Sequence, residues 1–195
     1  MGKASRGRVR FLAEGEFDAL YSACEDWVKP IMMVARYTGL RQGNVLDLQW
    51  NQVDLYRKTI SVENTMNGER LTVPICNRLA ETLAELTKVR HLHTNLLFPN
   101  PDGTRMNRER LYRAFKGVCK RAGIEDFRWH DLRHDYASQL VQRGVDLYRV
   151  QRLLGHKDGR ITQRFAHLAP RDLQSTVSVL DKPDYNLTTV NEKRG

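Results

Sequence analysis

Four side chains of this sequence stand where an anion can be held. Arg41, in TGLRQGNVLDLQW, lies two residues past Gly39, a glycine placed to stop a helix, so its guanidinium belongs to a tight turn. His130 and Arg133, in WHDLRHDYAS, are spaced i and i+3 on one face of a helix near its N-terminus. Unpaired backbone N–H groups and the helix dipole already favour negative charge there. His156, in LLGHKDGR, directly follows Gly155, a second helix stop. Two arginines and two histidines can surround one phosphodiester, neutralising it and donating hydrogen bonds as negative charge builds during transfer.

Each of the four also has a plainer use. Arg41 can pair with Asp47 or Asp54, His130 can cap its helix, Arg133 can bridge to Asp131 or Asp135, and His156 can be a loop histidine. Phe165 raises a sharper question, because it sits between His156 and His167 among basic and hydroxyl side chains. It is either a core aromatic residue on a short amphipathic helix or the occupant of a position where a reacting group belongs. A metal reading of His130 and His134, spaced i and i+4, is disfavoured. The zinc-helix motif needs Glu directly after its first His, whereas Asp131 stands here and Arg133 would oppose a cation.

The elements that must position these groups are mostly helices. Apolar spacing predicts helices over Glu14 to Cys24, Val28 to Thr38 and Gln42 to Leu48. The period then falls to two in TISVE (Thr59 to Glu63) and RLTVP (Arg70 to Pro74), with Asn67–Gly68 between them, which predicts a hairpin. Leu79, Leu83 and Leu86 mark the next helix, followed by a short extended piece and turn-rich loop in LLFPNPDGTR. Leu111, Phe115 and Val118 mark a helix ending at Gly123, and His130 to Gly144 another, with Leu132, Tyr136 and Leu140 inward. Asp146 caps a helix carrying Val150, Leu153 and Leu154. Ile161 to Leu168 and Asp172 to Leu180 read as two last short helices. The expected architecture is a single α+β domain, mostly helical, with a small antiparallel sheet at one edge. It spans residues 1–180, and residues 181–195 form a mobile or docking tail.

Composition narrows the partner. Lys plus Arg outnumber Asp plus Glu by 32 to 23 over 195 residues, a formal charge of +9. Such an excess on a globular chain points to an anionic partner, most often nucleic acid. No apolar run nears the roughly 20 residues needed to cross a bilayer, and MGKASRGRVRFL lacks the apolar stretch of a secretory signal. Gly2 with Ser5 is too thin a match to imply a lipid anchor. Three widely spaced cysteines, Cys24, Cys76 and Cys119, read as reduced core thiols of a cytoplasmic protein.

Taken together, these segments resemble the catalytic domain of the tyrosine recombinases, or phage integrases. TGLRQGNVLDLQWNQVDL resembles the family's first arginine box, HDLRHDYAS its His-x-x-Arg box and LLGHKDGRITQRFAHL its Leu-Gly-His box, in the family's order. The likeness runs from RVRFLAEGEFDAL to FAHLAP. It implies that Arg41 and Arg133 clamp a scissile DNA phosphate, that His130 assists proton transfer and that His156 donates a further hydrogen bond. It also implies a tyrosine nine residues beyond His156, where Phe165 stands, and a general-acid lysine on the hairpin, where Met66 stands. No cofactor or metal is called for. The implied partners are double-stranded DNA and other protomers in a synaptic tetramer, with no membrane and no small-molecule substrate.

Three readings follow. The chain is a recombinase domain whose cleavage is disabled, a non-enzymatic DNA-binding protein on the same fold, or an enzyme with a displaced nucleophile at Tyr136, Tyr148 or Tyr185. The first two tyrosines sit in patterned helices and read as packing residues. The chain also starts without the upstream helical DNA-binding domain that the resemblance implies, as expected of a catalytic-domain fragment or a truncated relative.

Overall fold

The computed structural model describes residues 10–64 and 69–169. Phe17 and Leu20 bury one side of α1 (Glu16–Ala23), which begins just past Gly15. In α2 (Val28–Thr38), Val28, Ile31, Met32, Met33, Val34 and Ala35 are all buried, as in a helix covered on several sides. Gly39 ends it with φ 64°, and the short α3 (Gln42–Leu46) follows. Three antiparallel strands come next, β1 (Val53–Asp54), β2 (Thr59–Asn64) and β3 (Glu69–Pro74), in the order β1-β2-β3. Ile60 opposes Val73 and Val62 opposes Leu71. That register turns Ile60, Val62 and Val73 into the core and leaves the Ser61–Thr72 hydroxyl pair, 3.0 Å apart, outside.

The helices α4 (Asn77–Thr87) and α5 (Arg108–Arg121) bury their leucine and phenylalanine stripes against α2 and its neighbours. Then come α6 (Asp131–Gln142), α7 (Leu147–Leu154), α8 (Gly159–Gln163) and a 3₁₀ turn, Ala166–Leu168. Most buried apolar residues form one core around α2, which reaches Leu132 at the start of α6. A second, smaller cluster joins Ala137 and Val141 of α6 to Val150 and Leu154 of α7, and Phe165 completes it.

The mostly helical α+β architecture with a small sheet is as the sequence predicts. The differences are local. Gln42–Leu46 is shorter than expected, and β1 is an added strand of two residues. The expected helix Ile161 to Leu168 is broken at Arg164 and Phe165. The break lets Phe165 turn inward, 1% exposed, and buries Thr162, while Ile161 is exposed. In α6 the buried set is Leu132, Arg133, Asp135, Ala137, Ser138 and Val141, because α2 and α7 cover it from two sides. Tyr136 and Leu140 are only partly buried, and so is Leu153. Cys24 and Cys119 are buried, and burial pushes their thiols up to about 11, but Cys76 is exposed at the start of α4 and is no core thiol. Tyr148 is also exposed rather than packed. Asn67–Gly68, Met66, Tyr185, the helix Asp172 to Leu180 and the tail 181–195 lie outside the described residues.

Candidate functional site

Two glycine turns and one helix start carry the site. Thr38 donates its hydroxyl to the Val34 carbonyl at 2.6 Å and accepts the Leu40 amide at 3.2 Å. This fixes the turn through Gly39 that delivers Arg41, in extended conformation, to the start of α3. A Cβ at Gly39 would stand 2.6 Å from the Tyr136 ring and 2.9 Å from Leu154, so only glycine satisfies both the positive φ and the close packing. Gly155, φ 62°, ends α7 in the same way and delivers His156. The His156 Nδ1 lies 3.0 Å from the buried Thr162 hydroxyl, which sets the ring's orientation.

Arg133 ties the two turns together. One Nη donates to the Gly39 carbonyl at 2.5 Å and the other to the Leu154 carbonyl at 2.6 Å. A single buried guanidinium thus satisfies carbonyls at the C-terminal ends of α2 and α7, where the helix dipoles favour a cation. It bridges to neither Asp131 nor Asp135. Asp131 accepts the Arg128 amide at 2.8 Å. Asp135, fully buried, accepts Arg36 Nε at 3.0 Å, the Leu12 amide at 2.9 Å and Gln139 at 2.6 Å. Asp47 is engaged by Arg105 and Asp54 by Arg57. His130 precedes the first turn of α6 without a side-chain capping bond.

Arg41, His130, Arg133 and His156 line one cavity of about 210 Å³, with Phe165 in its wall. That is below the ~300–1,000 Å³ of small-molecule pockets and suits a single anionic group. His134 and Arg164 line it too and were missed as site residues. Their signals lay in the sequence: His134 is one helical turn past His130, and Arg164 directly precedes Phe165. The His134 ring stands edge-to-face on His130 at 4.8 Å and tilted against Phe165 at 5.9 Å. Tyr136 and Tyr148 do not line the cavity. Among the described residues no group of three or more His, Cys, Asp or Glu side chains is placed to hold a metal ion.

Three arginines, three histidines and no carboxylate line this cavity. Burial, followed by the charge of Arg41, lowers Arg133 to about 10, still cationic at neutral pH. Burial and then Arg133, Arg41 and Arg164 push His156 down to about 4. Burial and then His130 push His134 down to about 4, with Arg164 and Arg133 adding to the effect. Burial and Arg133 lower His130 as well. All these causes act against positive charge, so an anion in the cavity relieves each of them. His156 also lines an adjoining groove of about 800 Å³ whose walls carry Arg70, Arg149, Arg152 and Lys157. No helix among the described residues is long and apolar enough to cross a membrane.

Residues 10–171 match the phage integrase family. The chain is 35% identical over 185 residues to the integrase of Salmonella phage P22, covering 89% of this chain and 48% of that protein. It is 32% identical over 174 residues to the tyrosine recombinase XerA of Saccharolobus solfataricus, covering 89% and 57%. The chain therefore spans about half the length of these curated relatives. Among solved structures, the catalytic domain of bacteriophage HP1 integrase superposes with a TM-score of 0.70 at 27% identity, covering 91% of this chain and 100% of that one. The XerA recombinase crystal structure gives 0.74 at 24% identity, covering 95% and 68%. A match over so much of the chain, on a fold that gathers the arginine and histidine boxes into one cavity, makes this protein a member of the phage integrase family of tyrosine recombinases.

Proposed function

We propose that the chain is the catalytic part of a site-specific DNA recombinase, and that it now grips a scissile phosphodiester without cutting it. The observation that carries this is the convergence of Arg41, His130, Arg133 and His156, from three separate segments, on one small cavity that lacks any carboxylate. In this reading Arg41 and Arg133 neutralise the phosphate. Neutral His156, its Nδ1 paired with Thr162, is able to donate from its other ring nitrogen, and His130 handles a proton. The adjoining groove of arginines and Lys157 takes the flanking backbone of duplex DNA. Solved relatives include a lambda integrase tetramer bound to a Holliday junction, and we extend assembly with other protomers on DNA to this chain. Its place of action is the cytoplasm, with no membrane or small-molecule substrate.

The chemistry stops at position 165. Strand cleavage in this family's manner needs an oxygen nucleophile, and Phe165 carries none. Met66, at the position of the general-acid lysine, cannot protonate a leaving 5′ oxygen. A second reading, a non-enzymatic DNA-binding protein reusing the recombinase fold, is supported by the way Phe165 is built into the second core cluster at 1% exposure.

Covalent capture on a nicked suicide duplex separates these. The unmodified chain should form no covalent adduct. Phe165→Tyr should form one slowly, because the ring is already seated beside the clamp. Adding Met66→Lys should speed capture by about 10²–10⁴-fold, the usual contribution of a general acid. A 5′-bridging sulfur, whose departure needs no proton, should erase the benefit of the lysine. An adduct on the unmodified chain, mapped to another tyrosine, refutes the assignment. So does a double variant that binds the sulfur substrate and never captures it.

A further inference from the structure

At the far end of α2 from the clamp, an apolar cavity of about 490 Å³ opens beneath Trp27 and Trp50. Eleven residues of helix, about 16 Å at 1.5 Å per residue, separate Trp27 from Gly39. Ile31, Leu97, Phe98 and Met106 supply apolar lining. Val89, on the rim, is 75% exposed, and Leu92 just beyond it is 91% exposed. Exposed apolar groups of this size beside a formed cavity mark a contact surface.

Two arginines at this cavity are prepared for a carboxylate. Arg90 lies over the Trp50 ring at 5.5 Å, and its Nη2 donates to Asn95 Oδ1 at 2.8 Å. Arg110 lies over the Trp27 ring at 4.8 Å, and its Nη1 donates to Asn100 Oδ1 at 2.5 Å. Both asparagines are fixed in turn, Asn95 by Gln49 at 3.4 Å and Asn100 by Thr104 at 3.0 Å. Neither guanidinium pairs with a carboxylate among the described residues, and the nearby Asp26 is engaged by Lys29 at 2.8 Å. Stacking on a ring and one neutral hydrogen bond hold each planar fork in place while leaving donors unspent. This is the arrangement that recognises carboxylates bidentately.

We propose that this cavity docks an acidic segment of a partner protein, one that seats an apolar side chain in the pocket and presents flanking carboxylates to Arg90 and Arg110. A nucleic acid fits the same features less well. Trp50 is only 9% exposed and both indoles already carry guanidiniums, so no aromatic platform is open for a base. A phosphate backbone also brings nothing apolar to fill the pocket. The site's remoteness from the clamp leaves a docked partner and bound DNA compatible.

The test uses the three indole N–H signals of the ¹⁵N-labelled chain. Trp27 and Trp50 report the cavity, and Trp129, packed on Phe115 at 5.1 Å in the core, is the internal control. The probe is the peptide acetyl-Glu-Leu-Phe-Asp-Glu-amide, beside its Gln/Asn counterpart and a duplex oligonucleotide, all at physiological salt. The expected result is saturable movement of Trp27 and Trp50 with a Kd of about 1 mM or tighter, with Trp129 unmoved. Arg90→Gln and Arg110→Gln should each weaken binding about tenfold or more, the loss expected of one charged hydrogen bond. No saturable movement overturns the proposal. Equal movement with the neutral peptide overturns the carboxylate recognition, and equal movement with the duplex makes the cavity a nucleic-acid site instead.

Discussion

Replacing Asp135 with asparagine tests whether α6, which carries Arg133, is held from behind. Asp135 is fully buried, and Arg36, its partner at 3.0 Å, has a side chain only 12% exposed. The same carboxylate takes the Leu12 amide at 2.9 Å and so fastens the entering chain to α6, while Arg36 stacks on Phe17 of α1 at 3.8 Å. Asp135→Asn keeps one acceptor for Leu12 but turns an amide N–H₂ toward the guanidinium and leaves a buried cation unpaired. Removing one partner of a buried pair costs about 3–5 kcal/mol. Against a total stability of about 5–15 kcal/mol, the variant should still fold but melt well below the parent. For a chain of this size each kcal/mol is worth about 2–4 °C, which places the drop at about 6–20 °C. Urea unfolding should show the same loss as a lower midpoint at unchanged slope. The double variant with Arg36→Met should lose less than the sum of the singles, because the second change removes the stranded charge. A cost under about 1 kcal/mol for Asp135→Asn, or strict additivity with Arg36→Met, would refute the view that this pair holds α6 in place.

Gly39→Ala should destabilise by at least about 1–2 kcal/mol from the left-handed backbone alone, with contact against Tyr136 and Leu154 adding to it; thermal melts check this, and a neutral result would mean the turn is not held as described. Affinity for duplex DNA should fall steeply with salt, with log K linear in log salt; a flat response would remove the phosphate clamp from consideration. Because His134 and His156 titrate near 4 when folded and near 6.5 when unfolded, the unfolded chain takes up protons first. Their share of stability is therefore present above about pH 6.5 and lost as pH falls toward 4. Inorganic phosphate should reduce that acid loss, and the His134→Gln/His156→Gln variant should show less of it in urea melts at pH 7.5 and 5.

How much of this could be read from the sequence depends on the range over which each feature is determined. The helices around Leu79–Leu83 and Leu111–Val118 and the Ile60–Val73 pairing were legible, because side-chain period is a local property. The turns at Gly39 and Gly155 were legible for the same reason, and with them the places of Arg41 and His156. Asp135 was visible only as a possible neighbour of Arg133 on its own helix. Its partner, Arg36, lies 99 residues away and no local pattern points to it. The break after α8 was missed because ITQRFAHL keeps helical spacing. What interrupts it is tertiary: Phe165 is needed in the second cluster and Thr162 beside His156.

Arg133 explains how the cavity keeps its shape independently of the side chain at position 165. A guanidinium has five N–H donors, and here two are spent on the Gly39 and Leu154 carbonyls. The cation that faces the cavity is therefore also the strut that joins the ends of α2 and α7. Its position is set by backbone groups of the protein, not by a bound phosphate or by a hydroxyl at position 165. Phe165 contributes to the same assembly through its ring alone, as the largest fully buried side chain of the second cluster. Exchanging a tyrosine for phenylalanine at such a place removes one oxygen and leaves the packing intact, whereas losing Arg133 would strand two helix-end carbonyls and open the site. Chemistry and architecture are thus separable at position 165 and inseparable at position 133. On the proposed function, this asymmetry is what would let a family member give up cleavage while retaining its grip on an anion.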